Sequence, residues 1–207
     1  MKGGFFLDSG ASDGVRVSNT WLLEMSFGWK GICVEPNAAA FRKLVRNRRC
    51  CCINSCLYDR ERTVDFVEEA GVLGGILEEY DPAHLRFAKA VYSLQESADG
   101  RPPTTPKAAR TILSVLKECN APPLIDYWSL DTEGSELKLL QSFPFEKYSF
   151  RVLTVEHNFL PAREQIRKFL EARGYQRIRT LEIDDCYVKP VDLPHSSWRS
   201  QAWMRLR

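Results

Sequence analysis

Phe5-Phe6-Leu7-Asp8-Ser9-Gly10-Ala11-Ser12-Asp13-Gly14 is a short apolar run that ends in an acid and opens into a glycine loop. A run of this length suits a buried strand better than a helix. Gly10 and Gly14 let the backbone turn tightly and approach a ligand with no Cβ in the way. Downstream, Trp21, Leu22 and Met25 fall at helical spacing, with Ser18 as a candidate N-cap and Gly28 at the stop. The stretch therefore reads as strand, glycine loop, helix.

The same alternation extends outward. Ile32-Cys33-Val34 is a second buried strand, closed by Glu35-Pro36. Phe41, Leu44 and Val45 mark a second helix face, the run from Cys50 to Leu57 reads as a third strand, and Thr63 to Val67 as an extra one. A helix near 107–119, a strand at 124–130, a helix at 134–142 and a strand at 150–156 follow. Pro161 opens a helix that runs to Arg173 and stops at Gly174. Tyr175 to Leu181 and Asp185 to Val188 are the last strand-like pieces. Strand-helix alternation predicts an α/β fold, a parallel sheet with helices on both faces. Residues 71–106 interrupt the rhythm with Gly71, Gly74, Gly75 and Gly100-Arg101-Pro102-Pro103, and read as an inserted loop or lid. Residues 1–190 are thus expected to form one domain, with 191–207 as a C-terminal extension.

Composition narrows the class. The chain has 207 residues, 44% hydrophobic and 27% charged, which is ordinary for a globular domain and excludes disorder and coiled coil. A net charge of +2 creates no field that would favour nucleic acid or anionic lipid. No apolar stretch is long enough to span a membrane, and the start is too weakly apolar for a signal peptide. Seven cysteines, an odd number with no C-x-x-C pair, read as reduced packing residues and point to the cytoplasm.

Ligands of such sheets sit beyond the carboxyl ends of the strands. Four runs end there in an acid: Asp8, Glu35, Asp131 after Trp128-Ser129-Leu130, and Glu156, which leads into His157 and Asn158. Glu35, one strand-helix-strand after the glycine loop, is placed to accept hydrogen bonds from both hydroxyls of a ribose. A dinucleotide would want G-x-G-x-x-G; here the spacing is G-x-x-x-G, with Asp8 before it and Asp13 inside it. Two carboxylates repel a pyrophosphate but suit the ammonium and sulfonium of S-adenosylmethionine. A nicotinamide-dependent oxidoreductase is the disfavoured alternative.

The blocks from Asp8 to Gly14, Ser18-Asn19-Thr20, Gly28 to Asn37, Ile125 to Glu136 and Val155-Glu156-His157-Asn158 resemble the FkbM-type S-adenosylmethionine-dependent methyltransferases, in family order over roughly residues 4–190. The resemblance implies a Rossmann-like, seven-stranded class I methyltransferase sheet. It also implies O-methylation of a hydroxyl on a small molecule or sugar. Carried over residue by residue, Asp8, Gly10, Ala11, Asp13 and Gly14 would cradle the methionine part of the cofactor and Glu35 its ribose. Pro36 and Asn37 would flank the adenosine, Cys56 and Tyr58 would reach the adenine, and Asn19 is either a cofactor contact or a helix cap. Asp131 would lie beside the transferable methyl. The 71–106 segment and the 191–207 extension depart from the family pattern.

A hydroxyl acceptor must lose its proton, and Asp131 and His157 are the candidate bases. Glu133, Glu156 and Asn158 are the candidate acceptor contacts. Asp131, Glu156 and Asn158 also offer three oxygens to a Mg²⁺ ion, a second reading of the same atoms. Each has a bland counterpart: Glu133 and Glu136 favour a helix dipole, His157 suits a core, and Trp21, Trp29 and Trp128 read as core. The basic run Arg42, Lys43, Arg46, Arg48 and Arg49 reads as a solvated helix face, so nucleic acid is disfavoured, with RNA 2′-O-methylation kept as an alternative. Trp198, Trp203 and Met204 in the tail suit docking on the chain's own domain or on a second copy.

Overall fold

The computed structural model describes residues 2–190, so the expectations for the 191–207 tail lie outside the described residues. The opening stretch folds as read: β1 (Phe5–Ser9) leads through the glycine loop to α1 (Trp21–Phe27), then β2 (Lys30–Val34) and α2 (Ala38–Asn47). Ser18 lies ahead of α1, where its Oγ accepts the Trp21 N–H at 3.1 Å. Asn37 caps α2 by accepting the N–H groups of Ala39 and Ala40.

The third predicted strand is two. β3 (Cys51–Ile53) pairs with β2, whereas β4 (Cys56–Leu57) leaves for a second sheet. The break lies at Asn54 and Ser55, whose side chains bond the carbonyls of Glu35 and Ala108. β5 (Arg62–Phe66) matches the extra strand. A 3-10 turn at 68–73 leads into the segment read as an inserted loop, which contains a second such turn at 77–79 and a helix, α3 (Pro82–Tyr92). Asp81 caps that helix and Pro82 starts it, a start signal that the glycines on either side obscure. The helix predicted near 107–119 is also divided. Residues 105–110 form β6 (Thr105–Arg110), drawn into antiparallel pairing with β5 although Lys107, Ala108 and Ala109 favour helix, and only α4 (Ile112–Glu118) is helical.

The remaining elements follow the reading closely: β7 (Leu124–Leu130), α5 (Glu136–Ser142), β8 (Ser149–Glu156), α6 (Ala162–Glu171), β9 (Gln176–Leu181) and β10 (Asp184–Val188). Seven strands form one sheet in the order β3-β2-β1-β7-β8-β10-β9, and β4-β6-β5 form a three-stranded sheet beside it. All pairings in the large sheet are parallel except those of β10, which runs antiparallel to β8 and β9. This is the seven-stranded, Rossmann-like sheet that the resemblance implies. Strand order reverses between β1 and β7, so a crevice opens beyond their carboxyl ends.

The core lies along β7 and β8. Trp128 is fully buried against Phe143 and Phe150, and its Nε1 donates to Ser9 Oγ at 2.9 Å, which leaves no polar atom stranded. Trp21, expected in the core, is 37% exposed on α1. Cys51 and Cys119 form a disulfide, which corrects the reading of seven reduced thiols; their Cα atoms are 6.2 Å apart. Arg48 departs from the basic face to which it was assigned. It is buried, with its guanidinium on Glu24, the Gly14 carbonyl, Ser18 and Thr20. No helix among the described residues is long and apolar enough to cross a membrane.

Candidate functional site

Three cavities adjoin at the carboxyl end of the large sheet. The first, of about 350 Å³, is lined by Gly10, Asp13, Glu35, Pro36, Cys56 and Asp131 among others. The second, of about 500 Å³, shares Gly10 and Asp131 with it and adds Asp8, Ala11, Asn19 and Glu156. The third, of about 220 Å³, holds Glu133, Glu156, His157 and Asn158. Asn37 and Glu133 also line the first. Of the residues singled out in the sequence, Gly14 and Tyr58 line none of the three.

The glycine loop is shaped by what lies above and below it. Gly10 and Ala11 both donate to the Val34 carbonyl, so the loop folds back over β2. Gly10 has φ +95° and lies so close to Asp131 that it admits no side chain. Gly14, at φ +77°, packs instead against Leu44 and Arg48, a structural role. Asp8 is buried and accepts the Thr20 hydroxyl at 2.5 Å, and burial raises its pKa against the pull of Thr20 and Arg48. Its carboxylate therefore braces the loop from beneath. Asp13 accepts the N–H groups of Val15 and Arg16 and stays acidic. Asn19 donates to Ser129 Oγ at 3.0 Å, which ties the loop to β7.

Glu35 caps the end of β2 with one oxygen on each side. Oε2 accepts the Ser12 N–H and Oε1 the Asn37 N–H, both at 2.7 Å. Each oxygen keeps a further lone pair for a ligand. Burial pushes its pKa up to about 7 despite those two bonds. The Asn37 side chain is spent on its helix and on the Glu68 carbonyl, so only its backbone and stem border the cavity. Tyr58 turns away. Its hydroxyl sits among Glu78, Glu79 and Lys138, beyond reach of the first cavity.

At the ends of β7 and β8 acids crowd together. Asp131 is pushed far above the usual carboxylate range by burial and then by Glu156, with which it shares a hydrogen bond, and burial pushes Glu156 up to about 8. Asp131, Glu136 and Glu156 each place one oxygen within 4.8 Å of the others. Glu136 thus stands where Asn158 was expected among the candidate metal ligands. Its Oε1 accepts the Thr132 N–H and hydroxyl and the Gly134 N–H, which closes the turn into α5. His157 accepts the Phe159 N–H at Nδ1, so its Nε2 carries the proton, buried and 3.8 Å from Asp185 Oδ1. Burial lowers its pKa.

Residues 8–177 match the methyltransferase FkbM domain model, which spans the glycine loop, Glu35, Asp131 and the β8 terminus. The chain belongs to the FkbM methyltransferase family. This FkbM-family chain matches no curated protein. Among solved structures it is similar to the N-terminal domain of human METTL16, at 10% identity and a TM-score of 0.42 over 90% of this chain. It is also similar to a human methyltransferase 10 domain containing protein, at 10% identity and a TM-score of 0.43 over 91% of this chain. The FkbM-family chain spans 60% of the first of these and 71% of the second.

One residue that the sequence reading passed over enters the third cavity. His84 of α3 is buried, and its Nε2 lies 2.5 Å from Glu133 Oε2. The Asp81-Pro82 helix start was the signal that could have placed it on a helix face. Nothing local in the sequence connects it to Glu133, 49 residues away.

Proposed function

We propose that the protein is an S-adenosylmethionine-dependent methyltransferase that methylates a hydroxyl of a small molecule or sugar. The observation that carries the cofactor is Glu35, a buried carboxylate with free lone pairs on both oxygens at the rim of the first cavity. Gly10 supports it by position, since its backbone borders the same cavity where the glycine loop meets Asp131. Asp13, Glu35, Asp131 and Glu133 line that cavity with Arg16 and Lys43, and their oxygens offer hydrogen-bond acceptors to the hydroxyls and ammonium of such a ligand. When bound, the cofactor supplies an electrophilic methyl. The chain's own residues fix the ribose at Glu35 and the methionine part at Gly10, Ala11 and Asp13. In-line positioning of the acceptor against that methyl supplies much of the rate.

The acceptor reading is supported by the third cavity, where Glu133, Glu156 and Asn158 offer polar groups to hydroxyls. Asp131 and His157 were the expected bases. Asp131 shares a hydrogen bond with Glu156, and His157 has its basic nitrogen on a backbone N–H.

Thermal unfolding with S-adenosylhomocysteine and NAD in parallel tests the cofactor. At about 100 times its Kd a ligand adds roughly 2.7 kcal/mol. For a chain of this size that is a midpoint rise on the order of 5–10 °C. A rise with S-adenosylhomocysteine and none with NAD is expected; the reverse result would replace the methyltransferase reading with an oxidoreductase.

A further inference from the structure

The segment at 71–106 packs onto the loop after β7 with no room to spare. A Cβ on Gly75 would come within 2.9 Å of Glu133 Cβ, and one on Gly134 within 2.4 Å of the Glu79 carbonyl oxygen. Glu133 itself holds φ +59°, a conformation that strains a residue with a Cβ and persists only where the surroundings impose it. The close packing brings one pair of side chains together. His84 Nε2 meets Glu133 Oε2 at 2.5 Å, and the ring stacks on Tyr80 with centroids 5.8 Å apart. Both residues line the 220 Å³ cavity, and Glu133 lines the 350 Å³ cavity as well. The pair therefore stands at the wall between the proposed cofactor and acceptor spaces.

We propose that His84 is the general base that takes the proton of the acceptor hydroxyl, with Glu133 holding its ring. The proposal rests on the hydroxyl acceptor argued above. Glu133 occupies Nε2, which leaves Nδ1 as the nitrogen that receives a proton. As the acceptor oxygen forms its bond to the methyl carbon, the carbon–sulfur pair returns to sulfur as a neutral thioether. The O–H proton passes to Nδ1, the O–H electron pair stays on oxygen, and the resulting imidazolium lies against the Glu133 carboxylate. His157, across the cavity, lacks this capacity because its Nδ1 already accepts the Phe159 N–H.

The groups that face His84 are Glu133 and Glu136 from the β7–α5 turn, Asp81 at its own helix start, Glu79, and Glu156 and His157 across the cavity. Glu133 foremost raises the His84 pKa above the ordinary histidine value. The basic form is then gained at higher pH than for an ordinary histidine, and a base role demands a rate that climbs with pH through that titration.

The test compares wild type with His84→Gln, whose amide can still donate to Glu133. Three measurements are made on each: S-adenosylhomocysteine affinity, histidine titration by NMR, and methyl transfer to glycerol and methyl glucoside across pH. Expected are an unchanged cofactor affinity and one histidine resonance, absent from the variant, that titrates above pH 6.5. Transfer should fall by roughly 10²–10⁴-fold in the variant, with the rise of rate with pH lost. A variant that transfers methyl like wild type, or a His84 ring fixed in one protonation state from pH 5 to 10, overturns the proposal and leaves the hydroxyl acceptor standing. Wild type that binds S-adenosylhomocysteine yet methylates neither probe, with His84 titrating, overturns the hydroxyl acceptor and the base role with it.

Discussion

A Cβ on Gly10 would lie 2.0 Å from the carbonyl oxygen of Asp131. The glycine loop after β1 and the turn after β7 thus cross at a distance that only glycine permits, and this crossing forms the floor shared by the first two cavities.

Gly10→Ala is expected to destabilise the fold and close the cofactor space together. Positive φ costs about 1–3 kcal/mol for alanine, and overpacking of this kind a further 1–3 kcal/mol. Thermal melts should show a midpoint loss on the order of 5–15 °C, and S-adenosylhomocysteine should no longer raise it. A variant that melts and binds like wild type would show that the crossing is slack.

Glu35 predicts a pH-dependent affinity. Its pKa of about 7 in the free protein means that it is half protonated near neutrality, while the ionised form is the better acceptor for two hydroxyls. Binding should release protons and tighten as pH rises through 7. Glu35→Gln should weaken S-adenosylhomocysteine by roughly 10–100-fold, the cost of a charged hydrogen bond, and flatten the pH dependence. Calorimetric titrations at pH 6 and 8 decide it, and equal wild-type affinities at the two would remove Glu35 from the ribose.

Glu156 predicts a pH-dependent stability of the opposite slope. Its pKa rises from 4.5 to about 8 on folding, so between these values the folded state holds a proton that the unfolded chain has released. Raising pH through that window must therefore destabilise the protein. Glu156→Gln should melt higher than wild type at pH 8, by a margin on the order of 1–3 kcal/mol, with the two curves converging toward pH 5. A wild type that gains stability between pH 6 and 8 while the variant does not would contradict it.

Removal of divalent metal is expected to leave the protein unchanged. Asp131, Glu136 and Glu156 have the spacing of an ion site, yet Glu136 is bonded to three donors of its own turn and Asp131 is bonded to Glu156. Melting points with millimolar Mg²⁺ and with EDTA should coincide; a rise with Mg²⁺ would assign the cluster to a cation.

The parts of the site that were legible in the sequence are those in which strand, turn and acid are neighbours along the chain. Asp8, Glu35, Asp131 and Glu156 each end an apolar run, with Gly10 two residues beyond the first, and the register of the sheet alone brings them to one edge. The pairings that cross the chain were not legible. β6 carries residues that favour helix and becomes a strand because β5 offers it hydrogen bonds, and β4 separates from β3 because Ser55 bonds across to Ala108. Arg48 looks solvated among Arg46 and Arg49, and only the folded chain reveals Glu24 and the glycine loop above it. His84 belongs to the same class, since its partner is remote and its helix lies in the segment that reads as an inserted loop.

Among the described residues β9 is the outer strand of the large sheet, and all six of its residues are exposed. An open edge of that kind is a template on which a second chain could add a strand. Arg177 and Arg179 place positive charge along it, and its register against β10 slips between Cys186 and Tyr187, which breaks the straight ladder that an added strand would need. A copy of the chain that presents the same edge brings the same charges. Edge-to-edge growth is thereby opposed by repulsion and by shape, and among the described residues the sheet ends at seven strands.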